Sequence, residues 1–311
     1  MECSHEQEGL RQGKTLGRGE GRTAGSLYIV GTPIGNLEDM TYRGVRTLSE
    51  VGLIAAEDTR HTRKLLAHYD IHTKLTSYHE HNKQEKGPKL IAYLQSGGDL
   101  ACVSDAGLPG IADPGSHLVQ LAIAAGISVV PLPGANAALC ALVCSGLDTA
   151  AFSFAGFLPR TGKKRREILE QLQNRRETLI FYEAPHHILE TLRDIAAAFG
   201  PDRPAAIARE LTKCHEEFRR GSLADLLAWC ESEAPRGEFV LLTAGHGGMP
   251  ELEQPNQPSA SRNPAVLYEE LLSTCGDRKE ALRETAKQLG MGRREVYRAI
   301  HGGMTSKGET S

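Results

Sequence analysis

The order of apolar and polar positions from Leu27 onward predicts short strands that alternate with helices. Brief apolar runs have the length of buried strands, and the segments between them have the periodicity of helices. We predict strands at "SLYIVG", "VGLIAAE", "KLTSYH", "DLACVS" and "ISVVPLPG", with helices at "DTRHTRKLLAHY", "GPKLIAYLQSG", "GSHLVQLAIAAG" and "ANAALCALVCSG". This alternation is typical of an α/β domain with a largely parallel sheet.

Beyond about Ala151 the strands are more widely interrupted, which predicts a second α/β domain with a mixed or antiparallel sheet. Its strands are expected at "AFSFAGF", "ETLIFYE", "AAIAREL", "EEFRRG" and "GEFVLLTAG", and its helices at 162–175, 185–198 and 222–232. A stretch rich in proline and serine follows. The last helical pattern carries the apolar stripe Ala281, Leu282, Ala286, Leu289, Val296, Tyr297 and Ile300. Gly290 and Gly292 interrupt it, as in a helix-turn-helix.

The predicted fold class is therefore α/β, with two α/β domains and a small C-terminal helical module. The predicted segments are a disordered tail (1–25), an N-terminal α/β domain (26–150), a C-terminal α/β domain (151–246), a linker (247–263), a helical module (264–301) and a tail (302–311).

Composition changes this picture only slightly. Apolar residues make up 40% of the chain, charged residues make up 24%, and the formal net charge is −3. These values are typical of a soluble globular protein. They exclude an overall positive charge that would attract nucleic acid to the whole surface. The seven cysteines include no C-x-x-C pair, so we expect reduced thiols in a cytoplasmic protein and no metal site. The N-terminus also lacks the apolar core of a signal peptide.

Four strand-to-loop junctions could carry chemistry, because ligands bind at the carboxyl ends of parallel strands. They are "GTPIGN", "AEDTR", "SDAGLPGIADPG" and "PLPGANA". Neither G-x-G-x-x-G nor a P-loop motif is present, which argues against a common dinucleotide or nucleoside triphosphate site. The loops carry acids and hydroxyls rather than lysines. They suit a ligand with positive charge and hydroxyl groups, such as S-adenosylmethionine; the alternative is that they are ordinary turns.

Seven segments in collinear order resemble the tetrapyrrole-methylase superfamily of S-adenosylmethionine-dependent methyltransferases. They are "LYIVGTPIGNLEDMT", "GLIAAEDTR", "SDAGLPGIADPG", "PLPGANAAL", "GFLPRTGKKRREIL", "TLIFYEAPHHILETL" and "ARELTKCHEEFRRGSLADLL", and they span about residues 26–245. Within that superfamily the chain is most similar to the branch that methylates the 2′-hydroxyl of a cytidine in the decoding region of 16S rRNA. The resemblance implies S-adenosylmethionine in the cleft between the two domains, and a homodimer.

The resemblance also implies which residues bind the methyl donor. They are Thr32, Pro33, Ile34, Ser104, Asp105, Ala106, Gly107, Asn136, Ala137, Glu183 and Leu211. Two residues depart from the pattern of this branch. Leu108 stands where threonine is usual, and His187 stands where arginine is common.

Methylation of a ribose hydroxyl needs a proton acceptor, and cations would hold the flanking phosphates or a developing alkoxide. Our candidates for the catalytic group are Glu57, Arg60, Glu80 and Arg209. Structural alternatives remain open. Asp58 could cap a helix, Glu57 and Arg60 could form a local ion pair, and "YHEH" could be a solvated loop rather than a metal site. "RELTK" could be a salt-bridged strand end.

A cationic run provides the expected RNA-binding surface, because phosphate neutralisation supplies most nonspecific affinity. The run consists of Arg160, Lys163, Lys164, Arg165 and Arg166. The alternative is a solvated helix start. Two other functions remain open at this point: a methylase of a corrin or sirohaem precursor, and a donor-binding RNA-binding module without catalysis. The cationic run disfavours the first of these, since a small anionic macrocycle does not need it.

Overall fold

The computed structural model describes residues 24–111, 113–247, 264–288 and 291–301. The predicted tails lie outside these residues, except for positions 24 and 25 of the N-terminal tail. Leu289, Gly290 and all of the predicted linker except Gly247 also lie outside them. The chain divides into two compact units, Met1–Met249 and Pro250–Ser311, and the first unit contains both sheets.

The first sheet has five parallel strands in the order β3-β2-β4-β1-β5. Its elements in chain order are β1 (Ser26–Val30), α1 (Tyr42–Glu50), β2 (Leu53–Ala56), α2 (Thr59–His68), β3 (Leu75–Ser77), α3 (Lys83–Gln95), β4 (Leu100–Val103), α4 (Gly115–Ala124), β5 (Ser128–Leu132) and α5 (Ala137–Ser145). A short 3₁₀ turn, Leu37–Asp39, precedes α1. Every residue of β1 and β4 is buried, as expected of central strands covered on both faces.

The second sheet is mixed and has the order β6-β7-β10-β8-β9. Its elements are β6 (Phe152–Phe157), α6 (Gly162–Leu172), β7 (Thr178–Glu183), α7 (Ile188–Phe199), β8 (Pro204–Arg209), β9 (Glu217–Ser222), α8 (Leu223–Glu233) and β10 (Phe239–Thr243). Strands β6 and β7 are parallel, whereas β10 runs antiparallel to both β7 and β8. The predicted α/β fold class is confirmed for both sheets. The positions of the domain boundaries stay predictions.

Apolar side chains cover both faces of each sheet, which fixes the positions of the loops. On one face of the second sheet, Phe181, Ile207 and Leu241 pack against α7 and α8. On the other face, Ala141 and Leu142 of α5 pack with the opposite side chains of β7, β8 and β10. Helix α5 therefore leaves the first sheet and covers the second. This packing brings the carboxyl ends of the β5 and β7 strands to one region.

Two helices differ from the prediction. The sequence pattern does not predict α1, because this short helix is polar overall and Leu48 is the one large apolar side chain among its buried residues, Gly44, Thr47 and Leu48. Helix α3 begins at Lys83 and contains Pro88 as its sixth residue, whereas the pattern predicts a start at Gly87. The first turn of α3 is polar and therefore gives no apolar signal.

The second unit contains α9 (Pro264–Cys275), α10 (Arg278–Gln288) and α11 (Arg293–His301). Ala281, Ala286 and Val296 of the predicted stripe are buried, whereas Tyr297 is 56% exposed. Leu282, Arg293, Arg294, Tyr297 and Arg298 line a shallow groove on this unit. The three helices form the helical module that the pattern predicts.

Candidate active site

A cleft of about 480 Å³ lies between the two sheets, and loops from both line it. Its volume is in the range of small-molecule sites. The first sheet contributes Ile34, Glu57, Ser104, Asp105, Ala106, Gly107, Leu108, Ile111, Asp113, Asn136 and Ala137. The second contributes Phe157, Tyr182, Glu183, Ala184, Pro185, Ala208, Leu211, Glu238, Phe239 and Val240.

The loops after β1 and β4 are joined by their backbones. The Thr32 N–H donates to the Gly107 carbonyl at 2.9 Å, and the Gly107 N–H donates to the Thr32 carbonyl at 3.0 Å. Gly107 has φ +80°, a left-handed conformation that glycine adopts without a steric penalty. The Thr32 hydroxyl also donates to the Ser104 carbonyl at 3.2 Å. Thr32 therefore shapes the loop that lines the cleft, although its own side chain is buried.

The loops after β1 and β5 touch at two glycines. A methyl group added at Gly31 would lie 2.9 Å from Cα of Gly134, and one added at Gly134 would lie 2.9 Å from Cα of Gly31. Any side chain at either position would push the loops apart. Just beyond this contact, the Asn136 side chain caps α5 by accepting the Leu139 N–H at 2.9 Å.

Three carboxylates from the first sheet line the cleft: Glu57, Asp105 and Asp113. Asp105 Oδ1 accepts the Asp58 N–H at 3.0 Å, which joins the β4 loop to the start of α2. Asp113 Oδ1 accepts the N–H groups of Gly110 and Gly115 at 2.8 and 2.7 Å. None of the three forms an ion pair within the part of the chain that the structure describes. The cleft is therefore rich in negative charge that the described residues do not neutralise.

Burial and mutual repulsion act on these acids. Burial raises the pKa of Glu57 above its usual value, and the nearby negative charges of Asp105 and Asp113 raise it further. Burial likewise raises the pKa of Asp113, against the two N–H groups that its carboxylate accepts. A cation in the cleft would relieve this repulsion, so the electrostatics favour a positively charged ligand.

The second sheet lines the cleft with aromatic and carboxylate side chains. Tyr182 accepts the Ala138 N–H at 3.2 Å, and its ring makes edge contacts with Phe154 and Phe157. Glu183 is 7% exposed, and its carboxylate accepts the Thr191 hydroxyl at 2.5 Å and the Ala184 N–H at 2.8 Å. These bonds hold the Glu183 carboxylate in place. The rings of Phe157 and Tyr182 form an apolar surface on this side of the cleft.

The structure brings nine of the eleven predicted donor-site residues to the cleft. They are Ile34, Ser104, Asp105, Ala106, Gly107, Asn136, Ala137, Glu183 and Leu211. Thr32 and Pro33 do not line it. Of the predicted catalytic group, Glu57 alone does.

The other three members of that group make structural contacts. Arg60 is 86% exposed and pairs with Asp58, which also caps α2 by accepting the Arg60 N–H. The bond from Arg60 lowers the pKa of Asp58. Glu80 pairs with Lys83 at 2.6 Å, and this bond lowers the pKa of Glu80. Arg209 donates to the Arg236 carbonyl and pairs with Glu217 at 3.1 Å. The structure thus gives no support for placing these three at the reacting atoms.

Sequence reasoning omitted several lining residues that the structure adds. Asp113 could have been found from the sequence, because it is a second acid in the same loop as Asp105. Phe157 and Tyr182 could also have been found, because they are aromatic residues at the carboxyl ends of the parallel strands β6 and β7, where ligands bind. Glu238 and Phe239 lie at the start of β10, and only the antiparallel direction of that strand brings them to the cleft.

The cationic run begins at Arg160, three residues beyond the cleft residue Phe157. Arg160, Lys163, Lys164 and Arg166 are exposed. The prediction for Arg165 is wrong, because its side chain is 5% exposed and its guanidinium donates to Asp194 at 2.7 Å. Arg165 faces the inside of the domain and is not available to a phosphate.

Two further observations concern metals and membranes. Among the described residues, no group of three or more His, Cys, Asp or Glu side chains is placed to hold a metal ion. None of the described helices combines the length and apolarity needed to cross a lipid bilayer.

Comparisons with known proteins agree with the fold. The family described as Tetrapyrrole (Corrin/Porphyrin) Methylases matches residues 26–227. The chain is 49% identical over 277 residues to the ribosomal RNA small subunit methyltransferase I of Halalkalibacterium halodurans, which covers 89% of this chain and 95% of the relative. It is 48% identical to the protein of that name from Bacillus subtilis, over 89% of this chain and 94% of the relative.

Among solved structures, the uroporphyrin-III C-methyltransferase of Thermus thermophilus complexed with S-adenyl homocysteine has a similar fold. The TM-score is 0.51 at 18% identity, and the match covers 71% of this chain and 98% of that chain.

Substitution of the two neighbouring arginines should separate a structural role from a surface role. Arg165→Ala leaves Asp194 without its closest partner and should lower the free energy of unfolding by about 3 kcal/mol. Arg166→Ala, at a side chain that is 58% exposed, should lower it by about 1 kcal/mol or less. Urea unfolding measures both values. Equal losses would contradict the assignment of Arg165 to the interior.

Glu57→Gln should stabilise the folded protein at neutral pH. Because the folded-state pKa of Glu57 is raised, the wild type loses stability as pH rises from below 4.5 through that raised pKa. The glutamine does not ionise, so the advantage of the variant should grow across the same pH interval and then level off. Urea unfolding of both proteins between pH 4 and pH 8 checks this. A variant that is less stable at pH 8 than at pH 4, relative to wild type, would contradict it.

Proposed function

The chain belongs to the tetrapyrrole methylase family, and we propose that it transfers a methyl group from S-adenosylmethionine to the 2′-hydroxyl of a cytidine in the decoding region of 16S rRNA. The observation that carries the proposal is the cleft whose three acids have no ion-pair partner among the described residues. The names of relatives that are nearly half identical over most of the chain support the substrate class. A cytoplasmic location follows from that substrate.

The residues of the cleft fit the donor in charge and in shape. Asp105 and Asp113 supply negative charge toward a ligand that carries a sulfonium and an ammonium group. Tyr182 and Phe157 supply an apolar surface for a flat aromatic base. Ser104, Gly107 and Ala137 present a backbone that a ligand can approach closely. Bound there, the donor supplies a methyl group already activated by the positively charged sulfur.

Glu57 is the best-supported proton acceptor of the four predicted catalytic residues. It lines the cleft, and its raised pKa makes its carboxylate a better base than an exposed glutamate. In this role Glu57 would take the proton of the ribose hydroxyl as the oxygen bonds to the methyl carbon and the bond from that carbon to the donor's sulfur breaks, which leaves S-adenosylhomocysteine. The loops of the cleft keep water away and hold the reactants in line. Arg60, Glu80 and Arg209 then support the fold around the site.

The exposed cations at the start of α6 support an RNA substrate. Arg160, Lys163 and Lys164 form no ion pair with any described residue. They follow closely on Phe157, which lines the cleft. Phosphates on either side of a target nucleotide could bind them while the ribose enters the cleft. A small anionic macrocycle would not reach all of these side chains, so they favour RNA over a tetrapyrrole.

We further propose that two copies of the chain form a homodimer. Leu139 and Val143 occupy one face of α5 and are 44% and 70% exposed. The opposite face of the helix packs on the second sheet. Apolar side chains exposed one turn apart on a helix suit burial against a second copy.

A transfer experiment tests the proposed function. Purified protein with tritiated S-adenosylmethionine should label small ribosomal subunits or naked 16S rRNA, and should leave a uroporphyrin-type macrocycle unlabelled. The label should map to a cytidine whose 3′ phosphodiester resists alkali, as a 2′-O-methyl group requires. Glu57→Gln should lower kcat by about 10²- to 10⁴-fold. Glu80→Gln, at an exposed acid away from the cleft, is the matched control and should stay near wild type.

The outcomes separate the parts of this proposal. Label in the macrocycle instead of RNA would refute the function. Full activity of Glu57→Gln alongside labelled RNA would refute only the role of Glu57.

Val143→Asp should weaken the homodimer. A carboxylate at the centre of the apolar α5 face would be buried without a partner, so the dimer dissociation constant should rise at least tenfold. Sedimentation equilibrium measures this. Tyr42→Asp, at an aromatic residue of α1 that is 98% exposed, is the control. A monomeric wild type, or an equal effect of both variants, would argue against this interface.

A further inference from the structure

The exposed face of α2 carries cations that neither the fold nor the proposed chemistry uses. Exposed Arg63 and Lys64 form no ion pair with the described residues, and His61 and His68 lie beside them on the same exposed surface. The buried residues Thr62, Leu65 and Leu66 face the sheet. No acid occurs within Thr59–His68, so this face has no negative charge of its own.

Two other helices of this protein, α3 and α10, pair exposed cations with acids on the same helix. Lys89 pairs with Glu85 on α3 at 2.6 Å, and Arg283 pairs with Glu280 on α10 at 3.3 Å. Such pairs three or four residues apart are the usual way for a solvated helix to carry cations. On α2, Asp58 neutralises only Arg60. Arg63 and Lys64 are the fifth and sixth of the ten residues of α2, and neither has an acid three or four residues away on the helix. They therefore gain no stabilisation from such pairs.

Helix α2 is also fixed beside the cleft. Glu57, which precedes its cap, lines the cleft, and the Asp58 N–H donates to the cleft residue Asp105. Arg63 and Lys64 follow about one turn into the helix. Helix α6 has the same design, because Lys163 and Lys164 begin it a few residues after Phe157. Each sheet thus has a helix that begins next to the cleft, carries exposed cations without an ion-pair partner among the described residues, and has no acid in its first turn.

We propose that the α2 face formed by Arg63 and Lys64 is a second phosphate-binding surface, which holds the RNA backbone on the first-sheet side of the cleft. This inference rests on the proposed function and adds to it the side of the protein along which the RNA strand runs. The α6 cations hold the strand where it leaves the second sheet, and the α2 cations hold it where it leaves the first. RNA is the partner that this chemistry selects, since the surface offers positive charge without an ion-pair partner among the described residues and no apolar anchor.

The test compares two double charge reversals. Arg63→Glu/Lys64→Glu changes the α2 face. Arg175→Glu/Arg176→Glu changes an equally exposed neighbouring pair before the amino end of β7, whose other end reaches the cleft at Glu183, about 17 Å away. Both variants change the net charge equally. The control also breaks the exposed Arg175–Glu177 ion pair at 3.5 Å, a contact that contributes little to stability. Binding of small ribosomal subunits and of naked 16S rRNA is measured between 50 and 300 mM salt, and S-adenosylmethionine binding is measured by calorimetry.

We expect the α2 variant to bind rRNA at least tenfold more weakly, with the slope of log K against log salt reduced in magnitude by about 1.4 to 1.8. Its affinity for S-adenosylmethionine should equal that of wild type, and the control variant should keep most of the rRNA affinity and slope. Equal effects of the two variants on rRNA binding would overturn the α2 surface while leaving the proposed function intact. A wild type that binds neither small ribosomal subunits nor naked 16S rRNA would overturn both.

Discussion

Two backbone hydrogen bonds between Thr32 and Gly107 set the geometry on which the cleft depends. They tie the loop after β1 to the loop after β4, although these segments are more than 70 residues apart in the chain. The contact of Gly31 with Gly134 adds the loop after β5 to the same assembly. Three loops of one parallel sheet are thus fixed to one another before any ligand is present. A ligand that binds them does not have to order them, which lowers the entropic cost of binding.

The same preorganisation explains how three acids can share one small space. Asp105 and Asp113 keep backbone N–H groups as partners, and these bonds hold their carboxylates at set positions. Burial and its acidic neighbours raise the pKa of Glu57, and a hydrogen bond with the Asp105 backbone opposes this rise only in part. The fold tolerates this unfavourable arrangement because the loops that carry the acids are fixed by other bonds. An unfavourable charge placed where a ligand binds is typical of a functional site, and it is destabilising until a cation enters.

Much of this arrangement could be predicted from the sequence, and the failures have identifiable causes. Strands of the first sheet are short apolar runs, and their carboxyl ends must gather at one edge, so acids such as Asp105 could be assigned to a site. Arg165 could not be assigned correctly, because its burial depends on Asp194, which is 29 residues away on another helix. Glu238 could not be found, since the direction of β10 in a mixed sheet leaves no trace in its apolar pattern. Glu80 and Arg209 differ from Glu57 in having ion-pair partners: Lys83, three residues after Glu80, and Glu217, opposite Arg209 on the neighbouring strand β9.

Leu211 shows how the second sheet contributes an apolar contact at an energetic cost. Its neighbours Glu210 and Thr212 have φ +50° and +66°, which side chains other than glycine adopt at about 1–2 kcal/mol each. The turn persists because Lys213 bridges Glu210 and Glu238 at 3.0 and 2.9 Å, and because the Glu238 N–H donates to Glu210 at 2.9 Å. A relaxed turn would carry Leu211 out of the cleft. The strain and the ion pairs therefore act together, and they make the turn a rigid part of the site rather than a loop that a ligand must order.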